Sequence, residues 1–190
     1  MGTRPALPRS FPPPTPFDSV SRPGSPSLQP IAPLPGARIA VVVSEFHSEL
    51  TGGMLQSAKA QLVALEASAP DELIAWVPGS FELPLVARRF AQREDVDAVI
   101  CLGLVLKGET AHDHWVSYGA TSGILQASLD TDKPILFGVL TCNTLEQARA
   151  RALGPEHGGD QDKGRELARG AIATLHALAR ADAAPGENQS

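Results

Sequence analysis

Residues 98–116 read Ala-Val-Ile-Cys-Leu-Gly-Leu-Val-Leu-Lys-Gly-Glu-Thr-Ala-His-Asp-His-Trp-Val. The run up to Leu106 is apolar and rich in branched side chains, as expected of a strand buried on both faces of a sheet. It stops at Lys107-Gly108, and a helical pattern opens behind it with His112 in the first turn. A strand, a glycine turn and a helix in immediate succession are typical of an α/β protein, so this stretch predicts the fold class.

The same junction suggests a chemical role. Glycine lets the backbone approach a ligand closely, and the free N–H groups at a helix start attract an anion. A histidine beside such an anion site can transfer protons near neutral pH. Since a lone histidine at such a junction is more often a capping or surface residue, the hypothesis of a phosphate site with a proton-transfer residue needs support from the rest of the chain.

Strands and helices alternate from Ala37 onward. Predicted strands cover Arg38–Ser44, Leu73–Val77, Ala98–Leu104 and Ile135–Leu140. Predicted helices run from about residue 50 to 67, over Leu83–Gln92, through Trp115, Ile124, Leu125 and Leu129, over Leu145–Ala152, and from about Asp162 to Ala181. Strands that alternate with helices form a parallel sheet through right-handed crossovers. The prediction is therefore a four-stranded parallel sheet between two helical layers, a three-layer α/β/α sandwich.

The two ends of the chain differ from this pattern. Eleven of the 17 prolines precede Gly36, so residues 1–36 are predicted to be a disordered Pro/Ser-rich tail. An extended arm ordered against a neighbouring subunit is the favoured alternative. A transit peptide also fits, because the segment carries arginines and serines with Asp18 as its one acidic residue. Residues 37–182 form the predicted domain, and 183–190 a second flexible tail.

Composition narrows the function classes. A length of 190 residues suits one domain, and a net charge of −5 without a basic stripe argues against a nucleic-acid surface. The sequence contains no apolar run long enough for a membrane span. Cys101 and Cys142 lack framework spacing, so they are predicted to be reduced, buried thiols of an intracellular protein, with a disulfide as the less favoured interpretation.

Ligands of parallel sheets bind outside the carboxyl ends of the strands, so the segments that follow the strands are the candidates for a site. Phe46 follows the first strand and could stack on a planar heterocycle, although the local pattern slightly favours a ring packed beneath the next helix. Ser80, Phe81 and Glu82 follow the second strand. Glu82 could cap a helix, or it could accept hydrogen bonds from a polyol.

Charged residues later in the chain extend the list of candidates. Arg151 lies one turn beyond Gln147, on the same helix face, and a guanidinium is a natural partner of phosphate. Lys163-Gly164 follows a glycine-rich loop. His112-Asp113-His114 invites a metal interpretation, but the neighbouring strand ends supply no further ligands at clear metal spacing.

Taken together, five segments resemble the lumazine synthase family in motif and in order. They are Val77–Pro84, Lys107–His112, Phe137–Cys142, Glu146–Arg151 and Lys163-Gly164, and the resemblance runs from about Arg38 to His176. It implies a flavodoxin-like fold. It also implies an enzyme of riboflavin biosynthesis that condenses 5-amino-6-ribitylamino-2,4-pyrimidinedione with 3,4-dihydroxy-2-butanone 4-phosphate and releases phosphate and water, with no metal or organic cofactor.

The resemblance also implies roles for individual residues. His112 would transfer protons, Phe46 would stack on the pyrimidinedione, and Arg151 would supply the counter-charge of the phosphate. The pyrimidine and ribityl chain would be held by Ser80, Phe81 and Glu82. The phosphate would be bound by Gly108, Glu109 and Thr110, and an adjacent subunit would contribute Phe137 and Lys163.

Assembly and location are further implications. The family forms pentamers, some of which close into shells, so a homopentamer or a larger assembly of pentamers is expected. The cytoplasm is the expected location, or a plastid if the tail is a transit peptide. Alternatives are an enzyme on the same scaffold with another aminopyrimidine or carbonyl phosphate, a lumazine or flavin carrier, and a shell protein without catalysis.

The chain departs from the family pattern at four positions. His47 stands where asparagine is common in relatives, and Lys107 stands where arginine is common, with the charge kept. Asp113 and His114 occupy positions where an aromatic and an acidic residue are more usual. These departures leave open how the wall beside His112 is built.

Overall fold

The computed structural model describes residues 30–183. Its strands are β1 Ile39–Ser44, β2 Ile74–Val77, β3 Ala98–Leu106 and β4 Ile135–Cys142. Its α-helices are α1 Ser48–Ala64, α2 Leu83–Ala91, α3 His112–Thr131, α4 Leu145–Ala152 and α5 Lys163–Asp182. Short 3₁₀ turns at Asp71–Leu73 and Pro155–His157 precede β2 and α5.

The strands form one parallel sheet in the order β2-β1-β3-β4. Helices α1, α4 and α5 cover one face of the sheet, and α2 and α3 cover the other. Every residue of β1 is buried, and β3 is buried as far as Val105, which explains why their sequences are continuous apolar runs rather than alternating ones. The predicted three-layer α/β/α sandwich with a four-stranded parallel sheet is confirmed.

Most predicted boundaries agree with the structure to within a few residues. The second strand begins at Ile74 because Leu73 belongs to the preceding 3₁₀ turn. Helix α3 ends before Lys133 as predicted, and Asp132 there adopts a left-handed conformation with a φ of 53°. Cys101 and Cys142 are both buried and free. Burial raises the pKa of both thiols.

The segment before β1 contacts the domain. Ile31 and Leu34 pack on the core under α1 and α5, and the Leu34 N–H donates to the Leu65 carbonyl at 3.0 Å. Residues 31–36, which the sequence places in the predicted tail, therefore pack on the domain. The remainder of that predicted tail, residues 1–29, lies outside the described residues, as do residues 184–190.

Along the part of the chain that the structure describes, none of the helices has the length and apolar character that crossing a bilayer requires.

Helices α1 and α5 approach each other closely at a glycine. A Cβ at Gly164 would lie 2.8 Å from the Met54 carbonyl carbon and 3.0 Å from the Ala58 nitrogen, both backbone atoms of α1. Backbone atoms cannot swing aside as a side chain can. The glycine of Lys163-Gly164 is therefore required for the contact between the two helices.

We expect Gly164→Ala to reduce the free energy of unfolding by about 1–3 kcal/mol, because the added methyl group would force the two helices apart. Gly170→Ala, in the same helix, is the matched control. Its Cβ would make only an ordinary 3.6 Å contact with Leu136, so we expect it to be neutral or to stabilise the fold by ~0.5–1 kcal/mol. Urea denaturation of both variants measures the difference, and equal effects would contradict this account.

Candidate active site

A cavity of about 590 Å³ opens at the carboxyl ends of β1, β2 and β3, beside the start of α3. Seven of the predicted site residues line it: Phe46, Ser80, Phe81, Glu82, Gly108, Thr110 and His112. Its other lining residues are Pro78, Gly79, Leu104, Val105, Leu106, Asp113, Trp115 and Val116. The structure thus brings together three segments that lie far apart in the sequence.

Phe46 forms the wall that follows β1. Its side chain is 57% exposed, so the locally favoured expectation of a ring packed beneath the next helix is wrong. The backbone explains why, since the chain turns sharply at His47, where φ is 58° and ψ is 47°. Helix α1 starts directly after this turn and leaves the ring outside the core.

His47 occupies a left-handed conformation that favours glycine and in which asparagine, aspartate and histidine are the most frequent other residues. Asparagine, which the family resemblance led us to expect at this position, suits this backbone as histidine does. In this chain the imidazole contacts the Phe46 ring edge-to-face, with 4.4 Å between the ring centroids. The departure at residue 47 thus places a second ring against the candidate stacking residue.

The segment after β2 supplies a second wall. Ser80 is 3% exposed, and its hydroxyl donates to the Leu104 carbonyl at 3.5 Å. Gly103 makes room for it, because a Cβ there would lie 2.5 Å from the Ser80 Oγ. Phe81 follows with a side chain that is 59% exposed. Burial of Ser80 therefore fixes the backbone at the point where the Phe81 ring enters the cavity.

Glu82 directly precedes α2, but its carboxylate does not cap the helix. Pro84 occupies one of the first helical positions, where a proline fits because it has no N–H to satisfy. The carboxylate lies over Gly79, where a Cβ would be 3.2 Å from the Glu82 Oε2. Of the two interpretations of Glu82, this geometry favours a carboxylate that is available to a ligand.

The third wall is the junction between β3 and α3. The Lys107 N–H donates to the Cys142 carbonyl at 2.9 Å, which holds the strand end in the sheet. The Thr110 hydroxyl accepts from the His112 N–H at 3.4 Å, and His112 is the first residue of α3. A Cβ at Gly108 would meet nothing nearer than the Thr110 nitrogen at 4.0 Å, so the space beside it is open. An anion can therefore approach the helix start.

Four predicted site residues do not line the cavity of the single chain. Glu109 is exposed beside it. Phe137 lies on the edge strand β4 and is 40% exposed. Arg151 lies on α4, where it donates to the Gln147 carbonyl at 3.1 Å, and Lys163 starts α5 with a 2.8 Å ion pair to Glu166.

The described residues that line the cavity include acidic side chains but no lysine or arginine. Among the described lining residues, Glu82 and Asp113 are acidic, and none is a lysine or an arginine. The guanidinium of Arg151 lies near the end of β4, close enough to Cys142 to oppose the rise that burial causes in its thiol pKa. A phosphate in the cavity would thus face the helix start without a cationic side chain from the lining.

Sequence reasoning placed Asp113 in the wall beside His112 but did not propose Trp115 or Val116 as residues of the site. Asp113, Trp115 and Val116 line the cavity from the first turns of α3. Trp115 belongs to the helical pattern in the sequence, and in the structure its side chain is 63% exposed. Its position one turn after His112 was the available signal, because residues three apart on a helix share a face.

Within residues 30–183, no three His, Cys, Asp or Glu side chains gather into a metal-binding group.

The fold and the cavity define an α/β enzyme whose site lies at the carboxyl edge of a parallel sheet, with an aromatic wall beside a helix start. The family described as 6,7-dimethyl-8-ribityllumazine synthase matches residues 36–179. Relatives named 6,7-dimethyl-8-ribityllumazine synthase include one from Thermus thermophilus, 51% identical over 128 residues, which are 67% of this chain and 82% of the relative.

Two further relatives agree. The 6,7-dimethyl-8-ribityllumazine synthase of Salinibacter ruber is 47% identical over 137 residues, 72% of this chain and 85% of its own length. The 6,7-dimethyl-8-ribityllumazine synthase 1 of Caulobacter vibrioides is 45% identical over 145 residues, 75% and 91% respectively. The chain belongs to the 6,7-dimethyl-8-ribityllumazine synthase family. The predicted family and the predicted class, a transferase of riboflavin biosynthesis, are confirmed.

The two interpretations of Glu82 differ in their effect on stability. If the carboxylate serves a ligand, Glu82→Gln should change the free energy of unfolding by less than about 0.5 kcal/mol. Thr144→Ala is the comparison, because the Thr144 hydroxyl does cap α4 by accepting from the Gln147 N–H at 3.3 Å, and we expect its loss to cost about 1 kcal/mol. Thermal unfolding measures both, and a cost for Glu82→Gln as large as that of Thr144→Ala would restore the capping role.

Proposed function

We propose that the cavity binds 5-amino-6-ribitylamino-2,4-pyrimidinedione and 3,4-dihydroxy-2-butanone 4-phosphate side by side and condenses them to 6,7-dimethyl-8-ribityllumazine. The family supports the reaction, and the arrangement of the walls supports the placement. The exposed Phe46 ring offers a flat apolar face to the pyrimidinedione. Glu82 is free to accept hydrogen bonds from the ribityl hydroxyls. The open helix start at Gly108, Glu109 and Thr110 suits the phosphate.

Most of the rate can come from positioning. An amine and a ketone that are held together react far faster than the same groups in dilute solution. Imine formation, phosphate elimination and ring closure each move a proton, and His112 at the cavity wall is the residue we assign to these transfers. The observation that carries this assignment is that His112 shares one cavity with the candidate ring-binding and phosphate-binding segments.

We further propose that a neighbouring copy of the chain completes the site. A phosphate dianion needs a cationic partner, and no lysine or arginine is among the described lining residues. Arg151 is the cation we assign, delivered by the neighbour together with Phe137 and Lys163. The exposed ring of Phe137 on an edge strand is consistent with a residue that serves an adjacent subunit.

The surface of α3 supports such an assembly. Trp115, Tyr118, Leu125 and Leu129 recur at spacings of three to seven residues and are each between 61% and 71% exposed. An apolar stripe of this length is unusual on a monomer and typical of an interface. A homopentamer, or a larger assembly of pentamers, is the arrangement that we propose by analogy with the family. We place the reaction in the cytoplasm, consistent with the two free thiols, or in a plastid if residues 1–36 act as a transit peptide.

We expect His112→Ala to slow lumazine formation by about one to two powers of ten, at the low end of acid–base contributions, because both substrates remain bound and are already reactive. His114→Ala is the matched control, since His114 contacts Trp115 but does not line the cavity. Its rate should stay within about twofold of the unaltered enzyme. The absorbance and fluorescence of lumazine report both rates. Equal losses in the two variants would contradict the assignment of His112, and activity below detection for His112→Ala would contradict the expectation that the reaction is slowed rather than abolished.

We expect Arg151→Ala to raise the KM for the butanone phosphate by roughly ten- to a hundredfold, because a charged hydrogen bond to the phosphate is lost. The KM for the pyrimidinedione should change little. Arg149→Ala is the control, because Arg149 is paired with Glu49 at 3.3 Å on another side of α4. An unchanged KM for the butanone phosphate in Arg151→Ala would remove Arg151 from the site.

A further inference from the structure

The Phe81 ring lies against a glycine of α3. A Cβ at Gly119 would overlap the Phe81 Cε2 and lie 2.9 Å from Cδ2. Gly119 is not among the residues that line the cavity, whereas Phe81 is. The ring therefore has α3 behind it and the cavity in front of it. Any side chain at residue 119 would have to displace the ring.

A second glycine of α3 contacts a residue outside the cavity and can be compared with Gly119. Gly123 lies one turn after Gly119, and a Cβ there would come within 2.8 Å of the Pro84 side chain. Pro84 belongs to α2 and does not line the cavity. Both glycines let α3 approach the segment that contains Phe81 and Pro84, but only Gly119 touches a residue of the cavity wall.

Glycine inside a helix is costly, because it loses more backbone freedom on folding than alanine does. Its presence at residue 119 therefore calls for a compensating effect. At Gly123 close packing against Pro84 is a sufficient reason, since Pro84 is half-buried and its ring cannot move away. At Gly119 packing is a weaker reason, because the Phe81 side chain is 59% exposed and has room to turn.

We propose that Gly119 is a positioning residue that sets the place of the Phe81 ring in the cavity and thereby the room left for the pyrimidinedione ring. This inference rests on the proposed function of the cavity. A methyl group at residue 119 would push the ring by its own radius toward the cavity, where Phe46 stands as another aromatic residue of the wall. The space for a planar ring would shrink, while the phosphate end at Thr110 and His112 would keep its shape.

The expected result for Gly119→Ala is a KM for the pyrimidinedione raised by about tenfold, in the range that a methyl group changes in a tight apolar pocket. The KM for the butanone phosphate should stay within about twofold, and kcat should fall less than the pyrimidinedione KM rises. Gly123→Ala is the matched control, and neither KM should change more than about twofold in that variant. The midpoints of thermal unfolding should show the opposite order, with the larger decrease for Gly123→Ala, whose methyl group meets a proline that cannot turn.

A double variant separates positioning from a general effect on the helix. In Phe81→Ala the ring that residue 119 displaces is absent, so adding Gly119→Ala should change the pyrimidinedione KM by less than about twofold. If the double variant is about tenfold worse than Phe81→Ala alone, Gly119 acts through packing or assembly and the proposal is wrong. A pyrimidinedione KM that stays unchanged in the single variant Gly119→Ala would also overturn it.

The same measurements distinguish a failure of this proposal from a failure of the proposed function. Unaltered enzyme that forms no lumazine above the spontaneous background would contradict the function of the cavity. Unaltered enzyme that is active, beside a Gly119→Ala variant with the same pyrimidinedione KM, would contradict the role of Gly119 alone.

Discussion

The parallel pairing of β3 between β1 and β4 determines where the walls of the cavity lie. Val41 of β1 pairs with Ile100, and Cys101 pairs with Phe137 of β4. Because all strands run in the same direction, their carboxyl ends meet at one edge of the sheet. Segments that are separated by more than 60 residues in the sequence, from Phe46 to His112, thereby become walls of a single cavity.

The same strand order places the cationic candidates away from the cavity. The walls that follow β1, β2 and β3 supply aromatic rings, carboxylates and a helix start, whereas the cationic candidates lie on α4 and α5, beyond the edge strand β4. Two acidic residues line the cavity without a lysine or arginine among the described lining residues. This lining is the reason for which we propose that a second copy of the chain completes the phosphate site. The exposed apolar stripe on α3 offers a surface through which copies can associate.

The fold was predictable because the strongest sequence signals come from burial on both faces of the sheet. Residues 98–106 are apolar without alternation, as expected of a central strand that is covered on both faces. The seven predicted residues that line the cavity were predictable for a related reason, since each follows the end of a strand. Phe46 was harder, because its exposure depends on the left-handed turn at His47, which a local pattern does not reveal.

Features that depend on tertiary packing could not be predicted from the sequence. The sequence pattern places Trp115, Leu125 and Leu129 in an apolar helix, yet all three side chains are exposed. Contacts between chains or between elements decide which face of such a helix is covered. The importance of Gly119 was equally hidden, because it arises from the place of Phe81, which lies 38 residues earlier in the sequence.

Subunit complementation between two impaired variants tests directly whether one site draws residues from two copies of the chain. His112→Ala and Arg151→Ala proteins would be dissociated, mixed in equal amounts and reassembled, and lumazine formation would be followed at a butanone phosphate concentration far below KM. If each site takes His112 from one copy and Arg151 from its neighbour, random mixing restores about a quarter of the sites. Activity that stays at the average of the two separate variants would show that both residues act within one chain, and would contradict the shared site.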